Sequence, residues 1–173
     1  MSAHSSFYVE LQVQLATSSG EERKPWVQKI VSENIPLEEF YSIFSADERT
    51  VNHFLWLISE IGILSPEKLQ FELPALFSFM EQNHSKYLSA FASWWHYAGV
   101  PEENEAKAID YLFKWFLSVE TVSSIKTRAL WVLVKLSQKY PELKQELKLC
   151  LGDQMDKYSK DFKKRAEKIL AQL

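Results

Sequence analysis

The sequence predicts an all-α fold, and within that class an α-α superhelix: a right-handed solenoid of stacked antiparallel helix pairs. Three observations carry this prediction. Glycine occurs four times and proline six times in 173 residues, which leaves few places for the tight turns that join strands. The long segments are rich in Leu, Glu, Lys, Ala and Gln, residues that lose little side-chain freedom in a helix. Pro-Glu dipeptides at 66–67, 101–102 and 141–142, with a looser Pro36-Leu37-Glu38, recur behind apolar runs, as punctuation in a repeated unit would. A chain of this length fits one domain that buries about 70% of its unfolded surface.

The first element is the least determined. Residues 7–16, FYVELQVQLA, alternate apolar and polar side chains, with Phe7, Val9, Leu11, Val13 and Leu15 on one side, which is a strand pattern. No second segment of that kind follows to pair with it, and a lone strand leaves its backbone groups unsatisfied. Residues 5–18 are therefore read as a helix with Phe7 or Tyr8, Leu11 and Leu15 facing inward, a strand that pairs only in an oligomer staying open. Residues 25–34 and 36–44 then make a first, degenerate helix pair.

From residue 48 the pattern sharpens. ERTVNHFLWLISEIGIL, 48–64, places Val51, Phe54, Leu55, Ile58 and Ile61 at helical spacing. Ser65 offers an N-cap and Pro66 takes the first helical position, where its missing N–H costs nothing. The second helix, PEKLQFELPALFSFMEQN, is expected to kink at Pro74, which removes an intrahelical bond. SKYLSAFASWWHYAG (85–99) and VPEENEAKAIDYLFKWFLS (100–118) form the next pair. SSIKTRALWVLVKLSQK (123–139) and YPELKQELKLCLGDQM (140–155) form another. SKDFKKRAEKILAQL, 159–173, ends the chain with Phe162, Ala166, Ile169, Leu170 and Leu173 on one side and cations elsewhere, the polar outer face that a terminal cap needs.

Aligning His53, Ala90, Ala129 and Ala166 gives offsets of 37, 39 and 37 residues, a helical-repeat period at the short end of HEAT or armadillo spacing. The expected units within a single domain, 1–173, are approximately 21–45, 48–82, 86–118 and 124–155, with the cap at 159–173. Each Pro-Glu starts the second helix of a pair, its glutamate favoured by the positive end of the helix dipole. The run ALWVLVKL at 129–136 is apolar on nearly every side, as an internal helix must be.

The block from Gly99 to Leu173, through Val100-Pro101-Glu102, residues 123–147 and 159–170, resembles short bacterial HEAT-like or armadillo-type helical repeat proteins of uncharacterised function. The likeness extends more weakly over RTVNHFLWLISEIG at 49–62. It implies an α-α superhelix and little more. Members of this group have been labelled adenylosuccinate lyase, a family whose signature is a serine-containing loop rich in Met, Pro, Lys and Asn. The serine stretches here, ATSSGEERK and VETVSSIKTR, lack that pattern.

The sequence offers no catalytic, metal or cofactor set. His4, His53, His84 and His96 form no i, i+4 pair, and Cys150 is the single cysteine, so a helical zinc site and an intrachain disulfide are both absent from the reading. Phosphate-binding glycine loops and the G-x-S-x-G nucleophile elbow are also missing. A pocket between helices needs no motif, and Asp110, Tyr111, Lys114 and Trp115 are the residues placed to line one, which keeps a small-molecule enzyme as the third reading. The N-terminus lacks a cation before Arg23, and Glu10, Gln12 and Gln14 interrupt its apolar residues, so a signal peptide is not expected; no apolar run is long enough to span a membrane. A cytoplasmic protein is expected.

Charge is more informative. Residues 1–123 carry a net −9 and residues 124–173 a net +6, although the whole chain is only −3. Lys144 and Lys148 share a helix face, and Lys160, Lys163, Lys164 and Arg165 line the last segment; sites on consecutive repeats merge into a stripe. Trp94, in the cluster Trp94-Trp95-His96-Tyr97, lies off the face shared by Leu88, Phe91 and Trp95. These seven residues, Lys144, Lys148, Lys160, Lys163, Lys164, Arg165 and Trp94, are the candidate partner contacts. The first reading is a non-catalytic module that binds a protein or peptide. The second is nucleic-acid binding through the basic third, as in HEAT-like DNA glycosylases, which the acidic balance of the whole chain opposes.

Overall fold

In a computed structural model, residues 3–157 and 159–173 are described, without the side chains of residues 3–6, 154 and 156. The chain is helical from end to end, and no strand occurs among the described residues. The first element is α1 (Ala3–Thr17). Phe7, Leu11 and Leu15 point into the core while Val9 and Val13 are exposed, so the 3.6-residue period prevails over the alternation.

Helix α2 (Gly20–Ser32) begins five residues before the expected start at Pro25. Ser19 accepts from the Glu22 N–H and the Glu22 carboxylate accepts from the Ser19 N–H, a full capping box. That pair satisfies two backbone donors and fixes the start upstream of the proline. Residues Leu37–Ser45 form a 3₁₀ segment. Its buried Leu37, Phe40 and Ile43 recur every third residue, which matches three residues per turn.

Helix α3 (Glu48–Leu64) is capped by Asp47, whose side chain accepts from the Thr50 N–H. Helix α4 (Pro66–Asn83) follows after one residue and runs through Pro74 without a break in assignment. Ser65 joins the two helices with no side-chain cap bond, so Pro66 alone marks the start. A Cβ at Gly62 would lie 2.6 Å from Leu69 Cδ2, so that side chain would have to shift, because α3 and α4 approach closely. The expected helix over 85–99 is divided between a 3₁₀ segment, Ser85–Ala90, and α5 (Phe91–Ala98). Gly99 ends it at φ +86°, a conformation that side chains resist.

A 3₁₀ turn at Glu102–Asn104 leads into α6 (Glu105–Leu117). Helices α7 (Ser123–Lys139), α8 (Glu142–Gln154) and α9 (Lys160–Leu170) complete the chain, the last capped by the Ser159 hydroxyl. Helices α3, α5 and α7 pack successively against one another. Helix α4 lies on α3 and α5, α6 and α8 lie on α7, and α9 closes the stack on α7 and α8.

Side-chain hydrogen bonds between elements join residues about one unit apart. Trp94 Nε1 donates to Ser59 Oγ and Arg128 donates to Ser93 Oγ, each pair 35 residues apart. Lys139 donates to Glu105, 34 residues away, and Lys135 to the His96 carbonyl, 39 away. A solenoid makes such contacts because each layer touches only its neighbours.

One buried cluster runs through all layers, from Phe7 to Ile169. Aromatic rings dominate its middle: Phe77, Phe91, Trp95 and Trp115 stand 5.0 to 6.1 Å apart in a continuous chain. Such ring pairs add to the area they bury.

Candidate interaction surface

The six basic candidates lie at one end of the stack. On α8, Leu143, Leu147 and Leu151 are buried against α7, which leaves Lys144 half-buried at the edge and Lys148 exposed beside it. On α9, Phe162, Ala166 and Ile169 face inward. The 100° step then aims Lys160 and Lys164 away from the core, with Lys163 and Arg165 on opposite flanks. Lys164 and Arg165 line a shallow depression of about 390 Å³ with Lys168 and Ala171. The structure brings Lys144 and Lys148 together on one helix and the other four together on the next.

Trp94 does not belong to any such surface. It is fully buried, with its indole N–H donating to Ser59 Oγ at 3.0 Å and its ring edge-on to Phe91 at 4.7 Å. The expectation of an exposed aromatic fails because α5 is covered by α3, α4 and α7, so positions away from its main apolar face are buried as well.

The residues suspected of lining a small-molecule pocket do not converge. Tyr111 donates to Glu81 at 3.1 Å and stacks on Trp115, which in turn stacks on Trp95. Lys114 borders a hollow of about 350 Å³ with Trp115, Ser118 and Ile125, and Asp110 is exposed elsewhere on the helix.

The histidines are also apart. His53 Nδ1 lies 2.6 Å from the Leu15 carbonyl, and His84 packs between Phe44 and Phe79. His96 is half-buried; burial, then the charges of Lys135 and Arg128, push its pKa down. The His4 side chain lies outside the described residues. Among the described residues, no group of three or more His, Cys, Asp or Glu is arranged to hold a metal, and no helix is long and apolar enough to cross a membrane. Burial, then Glu146 and Asp153, pushes the Cys150 thiol up, away from the reactive thiolate.

A second surface, absent from the sequence reading, lies on the acidic half. The 3₁₀ segment 37–45, the outer side of α4 and the turn before α6 enclose a groove of about 650 Å³. Its floor is apolar, formed by Pro36, Tyr41, Pro74 and Phe71, and Phe71 is 87% exposed. Glu38, Glu67 and Glu103 stand around it.

The wall between is stapled. Glu72 accepts from the Leu37 N–H and from Lys68 Nζ at 2.6 Å, and Lys68 also donates to the Ile35 carbonyl at 2.9 Å. The Lys68 and Glu72 side chains are only 8% and 12% exposed. Burial, then the negative charges of Glu72 and Glu38, push the Tyr41 hydroxyl far above its ordinary range. Phe71 was detectable: on a helical wheel it lies opposite Leu69, Leu73, Leu76 and Met80, the buried side of α4. The groove itself was not, since its other wall comes from about 30 residues earlier.

A family model described as a HEAT repeat domain matches residues 11–173. No curated protein and no solved structure matches the chain.

Proposed function

Because the chain belongs to the HEAT repeat domain family, and is thus an all-α helical repeat scaffold, we propose that it is a non-catalytic module that binds a protein or peptide through its solenoid surface. Its proposed extent is one domain, 1–173, with units near 21–45, 48–82, 86–118 and 124–155 and a cap at 159–173. The observation that carries the reading is the family's scaffold together with its segregated charge: a basic end centred on α8 and α9, and an acidic half behind it. Lys144, Lys148, Lys160, Lys163, Lys164 and Arg165 are the proposed contacts at the basic end, and a cytoplasmic location belongs to the same proposal.

Cations spread over two helices favour association by charge complementarity, which speeds encounter and selects partners. The same cations would also meet phosphates, and electrostatic binding of that kind weakens steeply with salt. Affinity capture from a lysate of the native host, with and without nuclease, separates the two partner classes. Partners retained in both arms and lost from a Lys160→Glu, Lys163→Glu, Lys164→Glu, Arg165→Glu variant are the expected result. Capture that vanishes with nuclease would make nucleic acid the partner. Turnover of a substrate, abolished by one side-chain deletion in a folded chain, would refute the module reading.

A further inference from the structure

We propose that the groove between the 37–45 segment and α4 is a docking site for a cationic peptide segment of a partner protein, one that carries a bulky apolar side chain between Lys or Arg residues. This deepens the interaction-module reading and rests on it.

The apolar half of the argument is Phe71. A phenyl ring 87% exposed gains nothing from the fold, and it does not stand alone: Tyr41, Pro36 and Pro74 extend it into a continuous apolar floor. Covering that floor with an apolar side chain removes area from water on both partners. The recess is about 650 Å³, within the usual range of roughly 300–1,000 Å³ for ligand sites, which suits a short segment rather than a whole domain.

Charge decides what kind of segment. Four glutamates and one lysine line the groove. The lysine, Lys68, is already held by Glu72 and the Ile35 carbonyl, so it offers no free cation to an occupant. Glu38, Glu67 and Glu103 have no ion-pair partner among the described residues. Phosphate or carboxylate entering here meets like charge, whereas Lys or Arg meets three carboxylates and two aromatic rings able to hold a cation over their faces. The stapled Lys68–Glu72 wall makes the recess pre-formed, which lowers the ordering cost of binding.

A second copy of the chain is the competing occupant, since its basic end has the right sign. Its exposed large apolar residue is Leu149 on α8, which is fixed on a helix packed against α7, whereas a recess of this size takes a short segment; self-association in the test below decides against the peptide. A peptide with both features fits the whole site.

The test is fluorescence anisotropy of fluorescein-labelled Arg-Lys-Leu-Pro-Lys-Arg titrated with the full chain at low salt. Two companion peptides carry Gly-Gly in place of Leu-Pro, or Glu in place of every cation. The expected result is binding of the first peptide, roughly tenfold weaker binding of the Gly-Gly peptide and of the Phe71→Ala protein, and none of the acidic peptide. Glu38→Lys with Glu67→Lys abolishes binding; circular dichroism melts verify that each variant is folded. The proposal is overturned by a folded wild type that ignores the first peptide, by equal binding to all variants, or by preference for the acidic peptide. Concentration-dependent self-association that Lys164→Glu removes would also overturn it in favour of a second copy. If the peptide fails while host proteins are still captured through the basic end, the groove proposal falls and the module reading stands.

Discussion

The two ends of this solenoid differ in more than the sign of their charge. At the basic end the cations sit on α8 and α9, and a shallow depression on α9 is lined by Lys164, Arg165, Glu167, Lys168 and Ala171. At the acidic end the glutamates surround a recess with an aromatic floor and a wall pinned by a buried ion pair. A shallow charged face steers partners with little shape selection, whereas a deeper recess selects by shape and charge together. Equal attention to net charge would rank the two ends alike; only the packing separates them.

The largest effect that sharpens the contrast comes from two aromatics that sequence alone treats as similar. Trp94 fills the interior between α3 and α5 and has no exposed surface, so Trp94→Ala is expected to cost about 3–5 kcal/mol through lost burial and a residual cavity. Phe71 stands in water, and Phe71→Ala is expected to change stability by no more than about 0.5 kcal/mol. Urea denaturation of both variants measures the difference. A cost for Phe71→Ala comparable to that for Trp94→Ala would mean that the groove floor is core, and the recess would lose its standing as a surface.

An intermediate effect concerns the joint between α6 and α7 that carries the basic end. Glu105 is 8% exposed and accepts from Lys139 Nζ at 2.8 Å and from the Tyr140 hydroxyl at 2.5 Å. Burial pushes this carboxyl up, but the bonds from Lys139 and Tyr140 and the lysine charge outweigh it, and its pKa ends below the ordinary value. A group depressed on folding contributes stability that is complete above its unfolded pKa and is lost as pH falls through the folded one. Glu105→Gln is therefore expected to destabilise by about 1–3 kcal/mol at neutral pH. As pH falls below the ordinary carboxylate range the gap to the wild type closes, because the wild-type carboxyl loses its advantage there. Thermal melts across that range check it, and a gap that stays constant with pH would place the contribution in packing rather than in the ionised carboxylate.

Legibility followed the length scale of each cause. The boundaries of α3 and α7 were readable at both ends, because Val51, Phe54, Ile58 and Ile61, or Ala129, Leu130, Val132 and Leu133, repeat a local period that tertiary packing then uses. The Ser19–Glu22 capping box is equally local and was present in the sequence; the prolines drew the start of α2 to Pro25 instead. The three-residue spacing of Leu37, Phe40 and Ile43 was present in the sequence, but over nine residues it is too short to separate a 3₁₀ segment from an α-helix; the 3₁₀ segment at Ser85–Ala90 has no such period. Trp94 failed as a surface residue for a related reason. Its exposure depends on three neighbouring helices, while a helical wheel describes one.

The smallest stability effect tests the basic end itself. Lys164 and Arg165 are exposed, Lys164 on the side of α9 away from Phe162 and Ile169 and Arg165 on its flank, and neither enters an ion pair among the described residues. Reversing both to glutamate removes no burial, so stability should move by less than about 0.5 kcal/mol, read by urea denaturation. Adding acid to a patch whose near neighbours are Lys160 and Lys168 also relieves like-charge repulsion along the helix. The Lys164→Glu change puts a carboxylate one helical turn from each of those two lysines, at the i, i+4 spacing that allows new pairing. The Arg165→Glu change places a second carboxylate at the same spacing from Asp161, a like-charge pair that offsets this gain, so the expected net effect is close to zero and fades further as salt screens it. A loss of stability greater than about 1 kcal/mol would show that these cations hold the cap onto the stack. In that case the basic end would resemble the stapled wall of the acidic recess, and the contrast between a structural acidic wall and a basic face that the fold does not need would collapse.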